Sequence, residues 1–214
     1  MNKDTIQKYG AILLILFSLL AGILIFFQIV IDDAFIFFKY GYNLVHHGVW
    51  SWSTEGKPVE AYTSFIYAIF SIFPYLLHIP PHVFIKLVGL ALLLILIYRV
   101  YKKTASFKIA LFAILIIVIN WQVYVHAFSG LETILWCWLL LESFFILKSE
   151  DVTAKKQWWL WSICLLMALT RPEGAIYAFF YLVYLQFYRK VKINYAAIAV
   201  VAIIGVVYFV WRLD

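Results

Sequence analysis

The chain has 214 residues, of which 66% are hydrophobic and only 13% carry a charge. A soluble domain is about half apolar and about a quarter charged, so this chain has too few polar side chains to cover a soluble surface. The composition excludes a soluble globular protein and a disordered one, and it predicts an integral membrane protein built from helices. The net charge of +6 is then first a signal of topology, and nucleic acid is not expected as a partner.

Apolar runs long enough to cross a bilayer recur along the chain. A spanning helix needs roughly 20 apolar residues, and about 17 are tolerated. The first run, residues 9–31, follows Lys3 and Lys8, and its length favours a membrane anchor over a cleaved signal peptide. The fold class predicted is therefore all-α: a polytopic membrane helix bundle of about seven transmembrane helices in a single domain over 1–214. The other predicted spans are 83–98, 109–125, 131–147, 157–170, 174–188 and 194–211.

The region between the first two spans decides the topology. Residues 32–60 form the longest polar stretch, and an aromatic-rich segment follows at 61–79. If 61–79 spans the membrane, the basic cluster after residue 98 falls outside; if it lies in the interface, the cluster falls inside. Because basic residues collect on the cytoplasmic side, we favour the interface. Residues 32–82 then form an extracytoplasmic loop with juxtamembrane helices, and the N-terminus is cytoplasmic.

Two adjacent carboxylates, Asp32 and Asp33, come directly after the first span. Repulsion between them and partial desolvation at a membrane boundary both favour uptake of a proton, which suits a general base or a divalent-cation site. The alternative is structural, because aspartate is a good N-cap and acids favour the first turn of a helix. For the pair alone these two interpretations weigh equally. The amphipathic, aromatic segment that follows is predicted to be an interfacial helix.

Two further acids are predicted at extracytoplasmic boundaries. Glu60 precedes Tyr62 and Thr63, where a simple interface cap is the structural alternative. Glu132 lies at the start of a span, where it could form a capping box with Ser129, and that structural interpretation is the stronger one.

The turn between the spans 157–170 and 174–188 contains Arg171 and Glu173. These two side chains could simply pair with each other. The functional interpretation is that the guanidinium of Arg171 binds a phosphate, whose oxygens suit its fixed fork of donors. Glu142 is the one acid well inside a predicted span, so we expect it to face a partner or a cavity.

Four motifs follow one another on the predicted extracytoplasmic side: DDAFIFFKYGYNLVHHG (32–48), KPVEAYTS (57–64), SGLET (129–133) and TRPEG (170–174). In this order they resemble the GT-C superfamily of polytopic glycosyltransferases. The likeness is to the bacterial branch with arabinofuranosyltransferase-like and protein-mannosyltransferase-like membrane proteins, and it covers residues 9–214. It implies a bacterial plasma (inner) membrane, an extracytoplasmic active face, and further spans after residue 214, so that this chain lacks the C-terminal part.

The resemblance also implies an activity and a role for each motif. A polyprenyl-phosphate-linked sugar would be the donor, and a hydroxyl of a glycan, lipid or protein the acceptor, with inversion at the sugar carbon. Asp32 would be the general base, and Asp33 its partner or a ligand of a divalent cation, the only cofactor considered. Lys39 and Arg171 would hold the donor phosphate. The remaining substrate-binding residues would be Glu60, Tyr62, Thr63, Glu132 and Glu173.

Two other functions stay open. A lipid or solute transporter would place polar residues and broken helices near the bilayer midplane, and only Glu142 fits this pattern. A non-catalytic subunit would keep the fold but require a second membrane subunit for activity.

Overall fold

In a computed structural model of the chain, residues 3–55 and 60–213 are described, with side chains over 8–55 and 60–212. Residues 57–59 of the KPVEAYTS motif, and Asp214, lie outside the described residues. All regular structure within these ranges is helical, which confirms the all-α class. The helices are α1 Lys3–Phe26, α2 Ala34–His47, α3 Phe65–Phe70, α4 Ile72–Leu77, α5 Pro81–Lys103, α6 Phe107–Ile119, α7 Trp121–Phe128, α8 Thr133–Leu147, α9 Ala154–Thr170, α10 Gly174–Val183 with a π-helical turn Tyr184–Tyr188, and α11 Tyr195–Leu213.

Three helices in the described ranges are long and apolar enough to cross a membrane: Lys8–Phe26, Pro81–Lys103 and Tyr195–Arg212. A fourth span exists if α6 and α7 are counted together, although they are bent by 66° at the break between them. Seven spans are therefore not confirmed. The other predicted runs form shorter helices, of 15 residues in α8 and 17 in α9.

The predicted interfacial segment 61–79 is broken as well. It contains two helices of six residues each, α3 and α4. Ser71 lies between them, and its hydroxyl donates to the carbonyl of Ala68 at 2.6 Å.

The long apolar helices expose much of their surface. Leu13 and Phe17 of α1 are 67% and 70% exposed, and Ile203 and Val207 of α11 are 62% and 63% exposed. Continuous apolar faces of this kind are unfavourable in water and suit a lipid environment. Apolar helices of membrane-spanning length with such faces indicate a membrane protein.

Contacts divide the chain into two compact units: unit 1 contains Met1–Ala61 and Ala68–Leu135, and unit 2 contains Tyr62–Tyr67 and Trp136–Asp214. In unit 1, α6 and α7 each pack on both α1 and α5, while α2 packs on α4. Gly89 allows α5 to approach α7 closely, because a Cβ at this position would overlap the carbonyl of Ala127. In unit 2, α9 packs on both α10 and α11.

The break between α6 and α7 is held by side chains of unit 1. Asn120 ends α6 and caps α7, since its side-chain oxygen accepts a hydrogen bond from the backbone N–H of Gln122 at 3.1 Å. The Tyr124 hydroxyl lies 2.6 Å from the carbonyl of Val118 and 3.1 Å from that of Ser18, so it can donate to either. The N–H of Gln122 and the carbonyl of Val118, two backbone groups close to the break, are thus satisfied within the protein.

Polar side chains also fix the helix ends of unit 2. The guanidinium of Arg189 donates to the carbonyls of Leu147, Ser149 and Glu150 at 2.7, 2.9 and 2.8 Å, which caps the end of α8. These bonds tie the end of α8 to the π-helical turn that follows α10.

Candidate functional site

Three segments of unit 1 that are distant in sequence meet at one place. The backbone N–H of Ile31 donates to the carbonyl of Ser129 at 3.0 Å. Gly130 has a φ of +86°, and a Cβ on it would lie 2.6 Å from the Cβ of Ala34 and 3.5 Å from Cγ2 of Ile85. The start of α2, the turn before α8 and the second turn of α5 are therefore in contact. We call residues 31–34, 85–86 and 129–132 the junction.

The junction joins two of the motifs identified in the sequence, the aspartate pair and SGLET. Both Asp32 and Asp33 are exposed. Asp33 precedes α2 with a φ of −61° and forms no side-chain cap, and the N–H groups of Ala34 and Phe35 bond instead to the carbonyls of Ile31 and Asp32. The structural alternative of an aspartate N-cap is thus not formed.

Neither aspartate carboxylate bonds to any residue in the described ranges. Protein packing does not supply the desolvation expected for the pair, because both side chains are open. Two unoccupied carboxylates can accept a proton from an alcohol or receive a cation. Within the described part of the chain, no group of three or more His, Cys, Asp or Glu side chains could hold a metal ion.

Glu132 differs from the aspartates because it is only 5% exposed. Helix α8 begins at Thr133, so Glu132 precedes the helix and does not lie in its first turn. The hydroxyl of Ser129 accepts from the N–H of Leu131 at 3.2 Å, and the N–H of Ser129 bonds to Val125. The predicted capping box is therefore not the arrangement found. A buried carboxylate persists where it is hydrogen-bonded or paired, so Glu132 is a fixed part of the junction.

Sequence reasoning missed Lys86, which it read as part of the apolar run 83–98. Lys86 adjoins Ile85 on α5 and is 3% exposed. Its Nζ lies 5.2 Å from the ring centroid of Phe27, whose ring packs against Phe128 at 5.4 Å. No hydrogen bond or ion pair joins its ammonium to any part of the chain that the structure describes. A single lysine inside an apolar run was the signal that could have found it.

Lys39, predicted to hold a phosphate, lies on α2. It is exposed, and its Nζ is 5.7 Å from the ring centroid of Tyr42. Lys39 lies in the second turn of α2, whereas Asp32 precedes the first residue of that helix, Ala34.

Farther along α2, an aromatic cluster occupies the end of the helix. Tyr42 contacts His46 at 4.4 Å and Tyr75 at 5.6 Å between ring centroids. Burial, with Tyr42 as the smaller cause, raises the pKa of Tyr75. A neutral tyrosine hydroxyl can both donate and accept a hydrogen bond.

The residues of the second motif fall in both units. Glu60, in unit 1, is exposed and precedes Ala61, whose N–H donates to the Tyr40 hydroxyl at 2.8 Å. Tyr62, in unit 2, is 4% exposed. Its carbonyl accepts from the guanidinium of Arg212 at 3.3 Å, and this guanidinium lies 5.6 Å from its ring centroid. Thr63 is exposed.

The fourth motif forms the turn between α9 and α10 in unit 2. The carbonyl of Arg171 accepts from the N–H of Gly174 at 2.9 Å, and a Cβ at Gly174 would overlap the backbone of Met167. Arg171 is half-buried, whereas Glu173 is exposed and its carboxylate bonds to no residue in the described ranges. The pairing of Arg171 with Glu173 considered from the sequence is therefore not formed. The predicted meeting of Arg171 with Asp32 involves both units and stays a prediction.

Comparisons with protein-family models, with curated proteins and with solved structures found no match to this chain. The resemblance to GT-C enzymes thus rests on the four motifs, and the functions assigned through it stay predictions.

Proposed function

We propose that this protein is a GT-C-type glycosyltransferase that moves a sugar from a polyprenyl-phosphate donor to an acceptor hydroxyl on the extracytoplasmic side of a bacterial plasma membrane. The main support is the junction, which brings the aspartate pair next to the SGLET motif and leaves both carboxylates open. A residue that takes a proton from an incoming alcohol has to be open in this way.

The reaction is an inverting displacement. Asp32 accepts the proton of the acceptor hydroxyl while the hydroxyl oxygen forms a bond to the anomeric carbon of the sugar. The bond from this carbon to the phosphate oxygen breaks, and the polyprenyl phosphate leaves with the electron pair. Asp33 orients the acceptor or binds a divalent cation. One carboxylate base suffices, because an inverting displacement has no covalent intermediate on the enzyme.

The other predicted residues act on binding. Glu132 is buried in the junction, whereas Glu60 and Thr63 are exposed. Arg171 would bring a cation to the leaving phosphate, where positive charge stabilises the transition state.

A transfer assay with the full chain in membranes tests this function. Asp32→Asn should lower the rate of transfer from a polyprenyl-phosphate sugar by about 100- to 10,000-fold, the range for losing a general base. Glu55→Gln is the matched control, because Glu55 is another exposed acid of unit 1 and should leave the rate unchanged. Full transfer by Asp32→Asn would remove Asp32 as the base, and full transfer by Asp33→Asn as well would refute the proposed role of the pair.

A transporter is the second candidate, because the break between α6 and α7 is a feature that transporters use for ligand binding. In such proteins the unwound backbone is free to bind the ligand. Here Asn120 and Tyr124 bond to the N–H of Gln122 and the carbonyl of Val118, so these two groups of the break are taken up by the protein, which favours the transferase. Solute or lipid flux by the chain in liposomes, without sugar transfer, would reverse this preference. Copurification of a second membrane protein that is required for transfer would instead indicate a partner subunit.

A further inference from the structure

Lys86 carries a charge that the fold of unit 1 does not compensate. The residue is 3% exposed, and its ammonium bonds to no residue in the described ranges. Within the described ranges, the face of Phe27, at 5.2 Å, is its one aromatic contact. A cation–π contact recovers only part of the cost of removing an ammonium from water. A buried cation of this kind calls for an anion as partner.

The position of Lys86 on its helix adds to this imbalance. Helix α5 begins at Pro81, so Lys86 lies in its second turn, near the positive end of the helix dipole. Cations are favoured at the other end, where Lys102 and Lys103 occur in the last turn. The helix dipole therefore gives the charge of Lys86 no compensation.

Lys86 also differs from the lysines that anchor helices at a membrane surface. Such side chains extend their ammonium into water, as the exposed Lys102 and Lys103 do. Lys86 is instead enclosed by unit 1, so membrane anchoring does not account for it. An unbranched apolar residue such as methionine would suit the same packing without the electrostatic cost.

The location of Lys86 identifies the anion. Lys86 and its neighbour Ile85 belong to the junction, and Phe27, which the ammonium overlies, shortly precedes Asp32 in the chain. We infer that Lys86 binds the phosphate group of a lipid ligand at the junction. This inference rests on the proposed function in naming the polyprenyl-phosphate donor as that lipid, and it places the cation for the donor phosphate in the same unit as the aspartate pair.

Binding to the full chain in phosphatidylcholine nanodiscs tests the inference without any need for turnover. The probes are polyprenyl phosphate and the polyprenol of equal length, which lacks the phosphate. We expect the wild-type chain to bind the phosphate form more tightly by about tenfold or more, as one charge-assisted hydrogen bond provides. Lys86→Met should remove this preference, Lys86→Arg should keep most of it, and Lys102→Met, the matched control on the same helix, should keep it fully.

Two further arms identify the source of the phosphate. Competition by phosphatidylglycerol that depends on Lys86 would assign the site to a membrane phospholipid, and competition by inorganic phosphate to a soluble ligand; both outcomes keep the phosphate site. Lys86→Gln should also remove the preference for polyprenyl phosphate. If either this variant or Lys86→Met does not fold, the other still decides the test. An unchanged preference in the folded neutral variants, or no preference in the wild-type chain, would overturn the inference.

The result is separable from the proposed function. Asp32→Asn should bind polyprenyl phosphate like the wild-type chain, because Asp32 acts on the acceptor. Phosphate binding that depends on Lys86, in a chain without sugar transfer, would refute the transferase and leave the phosphate site standing.

Discussion

Gly130 is the closest point of the junction, and replacing it with alanine tests whether this packing positions the aspartate pair. Its φ of +86° is strained for any residue with a Cβ, at a cost of about 1–2 kcal/mol. The new Cβ would lie 2.6 Å from the Cβ of Ala34, whereas carbon atoms in contact are usually about 3.5–4.0 Å apart. One backbone must therefore move by about 1 Å, and overpacking of this kind costs about 1–3 kcal/mol. Gly130→Ala should lower the free energy of unfolding by about 2–5 kcal/mol and displace Asp32.

Gly48 offers a matched control for the cost of placing a residue with a Cβ at a positive φ. It ends α2 with a φ of +69°, and a Cβ there would meet nothing within 4 Å. Gly48→Ala should therefore cost only about 1–2 kcal/mol. Chemical unfolding of both variants in detergent micelles gives the loss of unfolding free energy in each. The difference between the two losses is the contribution of the contact at Gly130. Equal losses of stability in the two variants would refute the contact.

A second substitution tests the partner directly. Ala34→Gly removes the Cβ that alanine at position 130 would meet. The double variant should therefore recover the part of the unfolding free energy that Gly130→Ala loses through overpacking. The coupling energy of the double-mutant cycle should be about 1–3 kcal/mol. Sugar transfer should recover together with stability if the junction positions Asp32. Strictly additive effects would mean that the two positions are not in contact.

Three other predictions concern the break, the carboxylates and the topology. Tyr124→Phe leaves the last turn of α6 with an unpaired carbonyl, so the midpoint of thermal unfolding should fall by the equivalent of about 1–3 kcal/mol; an unchanged midpoint would exclude the hydroxyl as a brace. Glu132→Gln should lower this midpoint, whereas Asp32→Asn should change stability by less than about 0.5 kcal/mol, and the opposite order would contradict their burial. With the native cysteines replaced, single cysteines at positions Ser53 and Thr104 should react with impermeant reagents from opposite sides of the membrane. Same-side labelling would contradict the proposed topology.

Composition predicted the helical class, and apolar runs located long helices. The apolar content excluded a soluble fold, and the predicted span 83–98 lies within α5, which extends beyond it to Pro81 and to Lys103. The predicted span 194–211 agrees closely with Tyr195–Arg212. Signals of this kind are local, so they can be recognised without knowledge of packing.

The interruptions of the helices could not be predicted in the same way. The run 109–125 reads as one apolar segment, yet it breaks at Asn120, where a side-chain cap and a tyrosine from the next helix replace the helical bonds. The length of an apolar run does not register one capping residue within it. The count of seven spans depended on such lengths, and it is the part of the prediction that the structure does not confirm.

For the candidate site as well, sequence order could be used for prediction, whereas burial could not. The order of the motifs suggested that the aspartate pair and SGLET belong together, and the bond between Ile31 and Ser129 joins them. The sequence did not reveal that Glu132 is buried while Asp32 is open, because burial depends on Gly130 and its contact with α2. The sequence does show Lys86 as a single lysine among apolar neighbours, but its burial and its lack of a partner in the described ranges are properties of packing.

The carboxylates of the junction therefore have different environments and are suited to different tasks. Asp32 is exposed and has no partner among the residues that the structure describes, so it can exchange a proton with an alcohol that approaches from outside. Glu132 is buried, so its carboxylate is surrounded by protein groups and not by solvent. It is therefore suited to fix a neighbouring group in position. Acid–base catalysis needs this division, because a base has to be reachable by substrate while the groups that orient it stay still. The bond from Ile31 to Ser129 and the close approach at Gly130 place both kinds of carboxylate on one rigid contact.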